Sequence, residues 1–301
     1  MEKPIKSKKI LSIKESSYFF LFTLGVYLVL NLMLGVVIDS NLPNGIETRE
    51  YFGKELWYTC LSYAMFPLSF ITVLILYGLK DKNIYPCVLK RESLHIKYVP
   101  YVLLMTFGIM FGFANANEYF VKLLEKVFSY KQPEVILPDF SVGNFIALTF
   151  FIAILPAVCE EILFRQILLN SFEEHKAYIS VFYTATLFAF FHMNPAQTIY
   201  QFIFGCVFAL TIIFTDSDLS TFLMHFLNNF LILIFYYAKV EFSKTLTLIL
   251  MICGLVVSVI GVTLAIIKIK RSEKDKKSFD KEMLYPLIPF GFCLFLWCFA
   301  I

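Results

Sequence analysis

The stretch Phe151-Ile-Ala-Ile-Leu-Pro-Ala-Val-Cys-Glu-Glu-Ile-Leu-Phe-Arg165 decides how the chain is read. It lies in an apolar segment long enough to cross a bilayer, yet it holds three ionisable groups within six residues. Each ionisable group at membrane depth costs about 2.5–3.5 kcal/mol on insertion scales. Something must offset Glu160, Glu161 and Arg165. A structural Glu–Arg pair between helices is one answer. A carboxylate pair serving chemistry in a membrane-embedded cavity is the other, and the rest of the chain favours it.

The flanking sequence sets the fold class. Of the 301 residues, 59% are hydrophobic and only 16% charged, against about a quarter charged in soluble domains. Mean hydropathy is +0.73. This pattern specifies an all-α, polytopic transmembrane bundle whose surroundings are the lipid bilayer. A net charge of +3 gives no reason to expect nucleic acid. The seven cysteines are scattered without a Cys-x-x-Cys or Cys/His spacing, so neither a disulfide framework nor a structural zinc site is indicated. The first apolar run, about 17–38, is too long for a signal-peptide core and lacks a small-residue cleavage site, which reads as a retained span.

Nine segments of about 20 residues can cross the membrane, near 17–38, 56–79, 98–116, 144–171, 178–192, 198–215, 220–238, 245–267 and 284–301. The fifth and ninth are short. With the N-terminus inside, 18 Lys and Arg residues fall in inner segments and 7 in outer ones, with Arg165 within a span. That bias orients the N-terminus to the cytoplasm and the C-terminus outside. The composition, rich in Phe and Lys, suits a bacterial cell membrane. Residues 117–141 open with charged and apolar residues at helical spacing and are expected to form an amphipathic helix on the outer surface, or a helical extension of the third span. The charged linker 268–283 reads as a mobile cytoplasmic loop. The whole chain, 1–301, is expected to form a single membrane domain, with 142–238 as its core and 1–141 and 239–301 as flanking spans.

Of four histidines, His95 and His175 fall in loops and are expected to be solvated, whereas His192 and His225 fall in apolar segments. Glu161 and Arg165 stand at i and i+4, acid first, and can pair. Glu160 is then left about 100° around the helix. His225 and Asn229 share a face at the same spacing, and Phe188 lies one turn below His192. Pro156 denies the Ile152 carbonyl its helical donor and should kink the helix. At 1.5 Å per residue, Glu161, His225 and Asn229 lie roughly 15, 8 and 14 Å from the inner ends of their spans, within reach of one cavity open to the cytoplasm. His192, at roughly 21 Å, fits worst unless its helix is short or tilted.

One Glu, two His and one Asn around a wet pocket suit amide hydrolysis. A carboxylate can activate water as general base, and imidazole and carboxamide N–H groups can stabilise an oxyanion. Alternatively, Glu160, His192 and His225 could hold a zinc ion with water as fourth ligand. The residues alone leave both routes open; a metal-free site is favoured, and in it Asn229→Ala is expected to lose rate with folding preserved. A proton-coupled transporter would show paired halves or broken-helix repeats, and none is visible.

Three motifs carry a resemblance. Glu160-Glu161-Ile-Leu-Phe-Arg165 fits EExxxR, Phe188-Ala-Phe-Phe-His192 fits FxxxH, and His225-Phe-Leu-Asn-Asn229 fits HxxxN. Their order and their apolar setting over about 142–238 resemble the CPBP (Abi) family of CAAX prenyl-proteases and bacteriocin-processing or bacteriocin-immunity proteins. The resemblance implies an intramembrane endopeptidase cutting a membrane-associated peptide or protein. It makes Glu160 the base, assisted by His192, with His225 and Asn229 at the oxyanion and Glu161 and Arg165 in support. A metalloprotease label and a metal-free glutamate mechanism are both associated with that family. A non-catalytic immunity or binding protein on the same scaffold is the alternative.

Overall fold

The structure, a computed structural model, describes residues 11–40, 52–89, 93–272 and 276–301. Several basic residues used for orientation, including Lys3 to Lys9, Arg49, Lys90, Arg91 and Lys274, lie outside them. The described residues are mostly helical, without a strand, and the expected membrane bundle is what forms. Its helices are α1 (Ile13–Asp39), α2 (Leu56–Lys80), α3 (Ile84–Leu89), α4 (Val99–Gly112), α5 (Ala114–Phe128), α6 (Val142–Leu169), α7 (Ala177–Phe191), α8 (Thr198–Thr215), α9 (Asp218–Ala238), α10 (Lys244–Ser272) and α11 (Leu287–Phe299). Eight helical stretches among the described residues are long and apolar enough to cross a membrane, and α7 is a shorter apolar helix.

The helix ends follow local chemistry. Ser12 and Glu15 form a reciprocal capping box that starts α1. Ser129 takes a left-handed conformation (φ 58°) that stops α5. The amphipathic segment expected over 117–141 is therefore helical only to Phe128. Val121 and Leu124 on its inner face pack with Tyr130 and Ala196. Beyond it the chain runs without helix over the ends of other elements. The Tyr236 hydroxyl accepts from the Leu137 N–H (3.2 Å), and the Tyr237 hydroxyl donates to the Pro138 carbonyl (2.8 Å).

Aromatic rings fill the interior, because 35 phenylalanines give a bilayer protein large surfaces that pack edge to face. Phe164 on α6 meets Phe188 on α7 at 4.9 Å between centroids, and Phe66 on α2 meets Phe191 at 4.7 Å. These contacts fix the face of α6 beside the glutamates against α7. Elsewhere small residues allow close backbone approach: a Cβ on Gly112 would lie 2.8 Å from the Gly254 carbonyl carbon, so α4 and α10 cross at glycines.

Two expectations need correction. His175 is not solvated but 1% exposed. Its Nε2 lies 3.0 Å from Asp280 Oδ2, across the turn that joins α6 to α7. Nor is the linker after α10 simply a free loop. Around His175, the Lys277 N–H donates to the Glu174 carbonyl (2.9 Å), the Lys176 N–H donates to the Lys277 carbonyl (3.0 Å), and Lys277 Nζ pairs with Glu174 (2.7 Å). Charged residues at 276–280 thus clamp the turn on which the two site helices depend.

Candidate active site

The glutamates stand on α6 between two stretches of wide, π-type helix, Thr149–Ile154 and Ile162–Leu169. The turn before Pro156 widens, so that the Leu155 N–H reaches back to the Phe150 carbonyl. Pro156 has no N–H for the Ile152 carbonyl, and Asn229 Nδ2 donates to that oxygen at 3.1 Å. Wide turns of this kind are frequent at functional sites. Here they bracket the glutamates within a helix that stays continuous.

The two carboxylates have different surroundings. Glu161 is enclosed: Oε2 accepts from Arg165 Nε (3.1 Å) and Oε1 faces His225 Nδ1 (3.0 Å). The Arg165 side chain is wholly buried, with its guanidinium over Phe188 and Phe208 at 5.2 and 5.5 Å, and its two terminal nitrogens have no protein partner. Glu160 makes no comparable pairing. Its buried Oε2 has no hydrogen-bond partner, and the Nε2 atoms of His192 and His225 each lie 3.9 Å from it.

Each imidazole is held from behind. His192 Nδ1 is 2.7 Å from the Phe188 carbonyl oxygen. A carbonyl only accepts, so Nδ1 carries the proton, and in the neutral ring Nε2 presents its lone pair toward Glu160. His225 Nδ1 faces the Glu161 carboxylate, so it is also the donor and its Nε2 likewise points at Glu160. FxxxH thus supplies more than an aromatic below the ring: the backbone of Phe188 sets the tautomer.

α7 is no shorter than the apolar segment suggested, yet the structure brings His192 Nε2 to 3.9 Å from Glu160 Oε2. α7 has 15 residues, about 22 Å, which does not cross a hydrocarbon core of about 30 Å upright. The helix ends immediately before His192, leaving the ring within reach of Glu160. The turn that follows is irregular, with Met193 at φ 46°. Its polar groups are satisfied inside the protein: Asn194 Oδ1 accepts from the Ala196 N–H (3.0 Å) and the Tyr130 hydroxyl (3.3 Å), and Trp297 Nε1 donates to Thr198 Oγ1 (2.7 Å). Irregular backbone at membrane depth is tolerated under that condition.

Glu160, Glu161, Arg165, His192 and His225 form one contiguous cluster. Asn229 stands one helical turn from His225 and bonds to Ile152. Residues outside the three motifs also join in. Asn228 Nδ2 donates to Asn229 Oδ1 (3.1 Å), the Tyr200 hydroxyl donates to Asn228 Oδ1 (3.1 Å), and Gln166 Nε2 donates to Asp218 Oδ2 (2.8 Å) between α6 and α9. No spacing in the sequence marks Tyr200, which lies on another helix.

Residues 142–231 match the family of type II CAAX prenyl endopeptidases described as Rce1-like. The matched segment contains all seven motif residues and ends within the 142–238 core outlined from sequence. No curated protein and no solved structure gives a significant match to the chain.

The zinc alternative makes a geometric demand. Tetrahedral bonds of ~2.0–2.1 Å set neighbouring ligand atoms ~3.4 Å apart. The two Nε2-to-Oε2 separations are 3.9 Å. Among the described residues, no group of three or more His, Cys, Asp or Glu side chains is arranged to hold a metal ion. The expected ligand set Glu160, His192 and His225 therefore has the right atom types but spacings about half an ångström too wide.

Proposed function

We propose that the protein is an intramembrane endopeptidase that hydrolyses a peptide bond in a membrane-associated peptide or protein, with Glu160 as general base. The observation that carries this reading is the convergence of two back-anchored imidazoles on a carboxylate oxygen that lacks a partner. A separation of 3.9 Å is too long for a direct hydrogen bond and suits a bridging water. Water donating to Glu160 and to His192 Nε2 loses a proton to Glu160 as its oxygen attacks the scissile carbonyl carbon. The resulting oxyanion is received by the remaining N–H of Asn229 and by His225. His225 can donate through Nε2 only as the doubly protonated ring, a charge that the Glu161 carboxylate at 3.0 Å accommodates. Glu160 then passes its proton to the departing amine nitrogen as the C–N bond breaks. Each proton taken from water is returned, so the cycle consumes only water.

In this reading Glu161 and Arg165 hold His225, and the bilayer supplies access to substrate. The test is cleavage of a farnesylated, internally quenched peptide ending Cys-aliphatic-aliphatic-X by the full chain in proteoliposomes. This probe is chosen from the description of the matched family. In parallel, membrane peptides from cells carrying the native protein or Glu160→Ala are compared by mass spectrometry. Cleavage lost in Glu160→Gln supports the reading. Glu160-dependent products without probe cleavage would move the substrate away from prenylated termini. No Glu160-dependent product in either assay would favour a binding or immunity role. Activity abolished by chelator and restored by stoichiometric zinc would replace the metal-free route.

A further inference from the structure

We propose that Tyr200 is a positioning residue for the oxyanion donor Asn229, acting through Asn228; the inference rests on the hydrolase reading above. The direction of the chain is fixed from its far end. The Ile152 carbonyl can only accept, so Asn229 must present Nδ2 to it (3.1 Å). Asn229 Oδ1 then faces Asn228, which must present its own Nδ2 (3.1 Å), and Asn228 Oδ1 is left facing Tyr200. Only a donor satisfies that oxygen, and the tyrosine hydroxyl supplies it at 3.1 Å. Four groups on three helices therefore run donor to acceptor in one sense, from Tyr200 to Ile152. One N–H of Asn229 is left over, held by the network as a donor. Bonds aligned in this way polarise one another, strengthening each by about 10–30%.

A buried tyrosine hydroxyl needs a partner in any case, so the choice of partner matters. Tyr85, Tyr101 and Tyr237 each donate to a backbone carbonyl. Tyr200 donates instead to the side chain that holds Asn229. Its ring stacks on Phe204 at 5.3 Å, which keeps the hydroxyl aimed at α9. It also borders a cavity of about 400 Å³ shared with Phe111, Asn117, Phe235 and Phe242, where Asn117 Oδ1 is buried without a partner.

Tyr200→Phe removes one oxygen and keeps the ring. With the farnesylated peptide and the full chain in proteoliposomes, it should lower kcat about tenfold and leave KM within twofold, a part of the ~10²–10³ that one oxyanion donor supplies. In an Asn229→Ala background the same change should cost less than twofold. A tenfold loss in both backgrounds, or a loss confined to KM, overturns the proposal. A second readout does not need activity. In the full chain labelled with ¹⁵N-asparagine, Tyr200→Phe should shift the side-chain amide resonances of Asn228 and Asn229, assigned by their loss in single alanine variants, and spare those of Asn31 and Asn144. Unmoved resonances overturn the proposal. If the native chain cleaves nothing, the hydrolase reading fails and the amide resonances alone decide whether Tyr200 orders Asn229.

Discussion

Adjacent glutamates should fail in opposite ways. Glu161→Gln replaces a carboxylate that serves two donors, Arg165 Nε at 3.1 Å and His225 Nδ1 at 3.0 Å. A carboxamide has one accepting oxygen, so one of those contacts becomes an N–H facing an N–H. The Arg165 side chain is already without partners at both terminal nitrogens, and its charge would lose the carboxylate paired with it. Stranding a buried charge costs about 3–5 kcal/mol, which lowers a thermal midpoint by roughly 5–8 °C for a chain of this size. Glu160→Gln touches none of these contacts. Its Oε2 has no partner to lose, so stability should change by less than about 1 kcal/mol while hydrolysis is abolished. The double variant Glu161→Gln/Arg165→Met removes both charges and should recover most of the stability, but not the rate, because His225 remains unanchored. The assay is intrinsic-fluorescence melting in detergent beside peptide cleavage in proteoliposomes. A midpoint that falls more for Glu160→Gln than for Glu161→Gln would refute the division of roles.

Further outcomes follow from single contacts. Asn229→Ala should lose ~10²–10³ in rate and also about 1–3 kcal/mol of stability, because it strips the Ile152 carbonyl of its donor; a melting midpoint equal to wild type would show that contact to be idle. Burial pushes the Asp280 carboxyl up, but the hydrogen bond from His175, that from the Glu282 N–H and nearby positive charge outweigh it and hold it below the usual carboxylate range. A depressed carboxylate stabilises fully above its unfolded pKa of about 4 and loses that contribution as pH falls through the folded value. Melting from pH 6 to pH 3 should therefore show an acid-labile component that Asp280→Asn lacks, and identical profiles would count against the clamp. In a background without native cysteines, Cys at Ser93 or Ser278 should resist an impermeant thiol reagent in intact cells while Cys at Asp139 reacts; the reverse pattern would invert the orientation.

The bundle was legible because hydropathy alone demands it. Segments of about 20 apolar residues must be helical at membrane depth, where backbone groups have no water to bond. The pairing of Glu161 with Arg165 was legible for a similar reason, since i and i+4 neighbours on one helix need no knowledge of the fold. His175 shows where such reading stops. Its loop position suggested solvent, but burial depends on a segment 105 residues away, which carries Asp280. Charge runs near 276–280 resemble any solvated linker until their partners are known. The 15-residue length of α7 was written in the sequence, though its consequence was not. A short helix places its end inside the membrane only if the following turn finds partners, and those partners, Tyr130 and Trp297, come from distant parts of the chain.

Asn229 is the most instructive case because two sequence signals had to be joined. Pro156 announces an orphaned carbonyl at Ile152, and HxxxN announces a carboxamide on the face of His225. Neither says that one answers the other. The contact at 3.1 Å joins them and ties the widened turn before Glu160 to α9. It also changes what the asparagine is for. A free carboxamide in an apolar cavity has two hydrogens and an oxygen to satisfy, and can rotate to present any of them. With one hydrogen on Ile152 and its oxygen on Asn228, it presents a single remaining hydrogen in one orientation. An oxyanion site gains from such preorganisation, since the donor need not reorient as charge develops. The proline that weakens α6 therefore supplies the acceptor that fixes a donor on α9. Proline and asparagine should accordingly be mutated as a pair: restoring a backbone N–H with Pro156→Ala should loosen Asn229 without touching it.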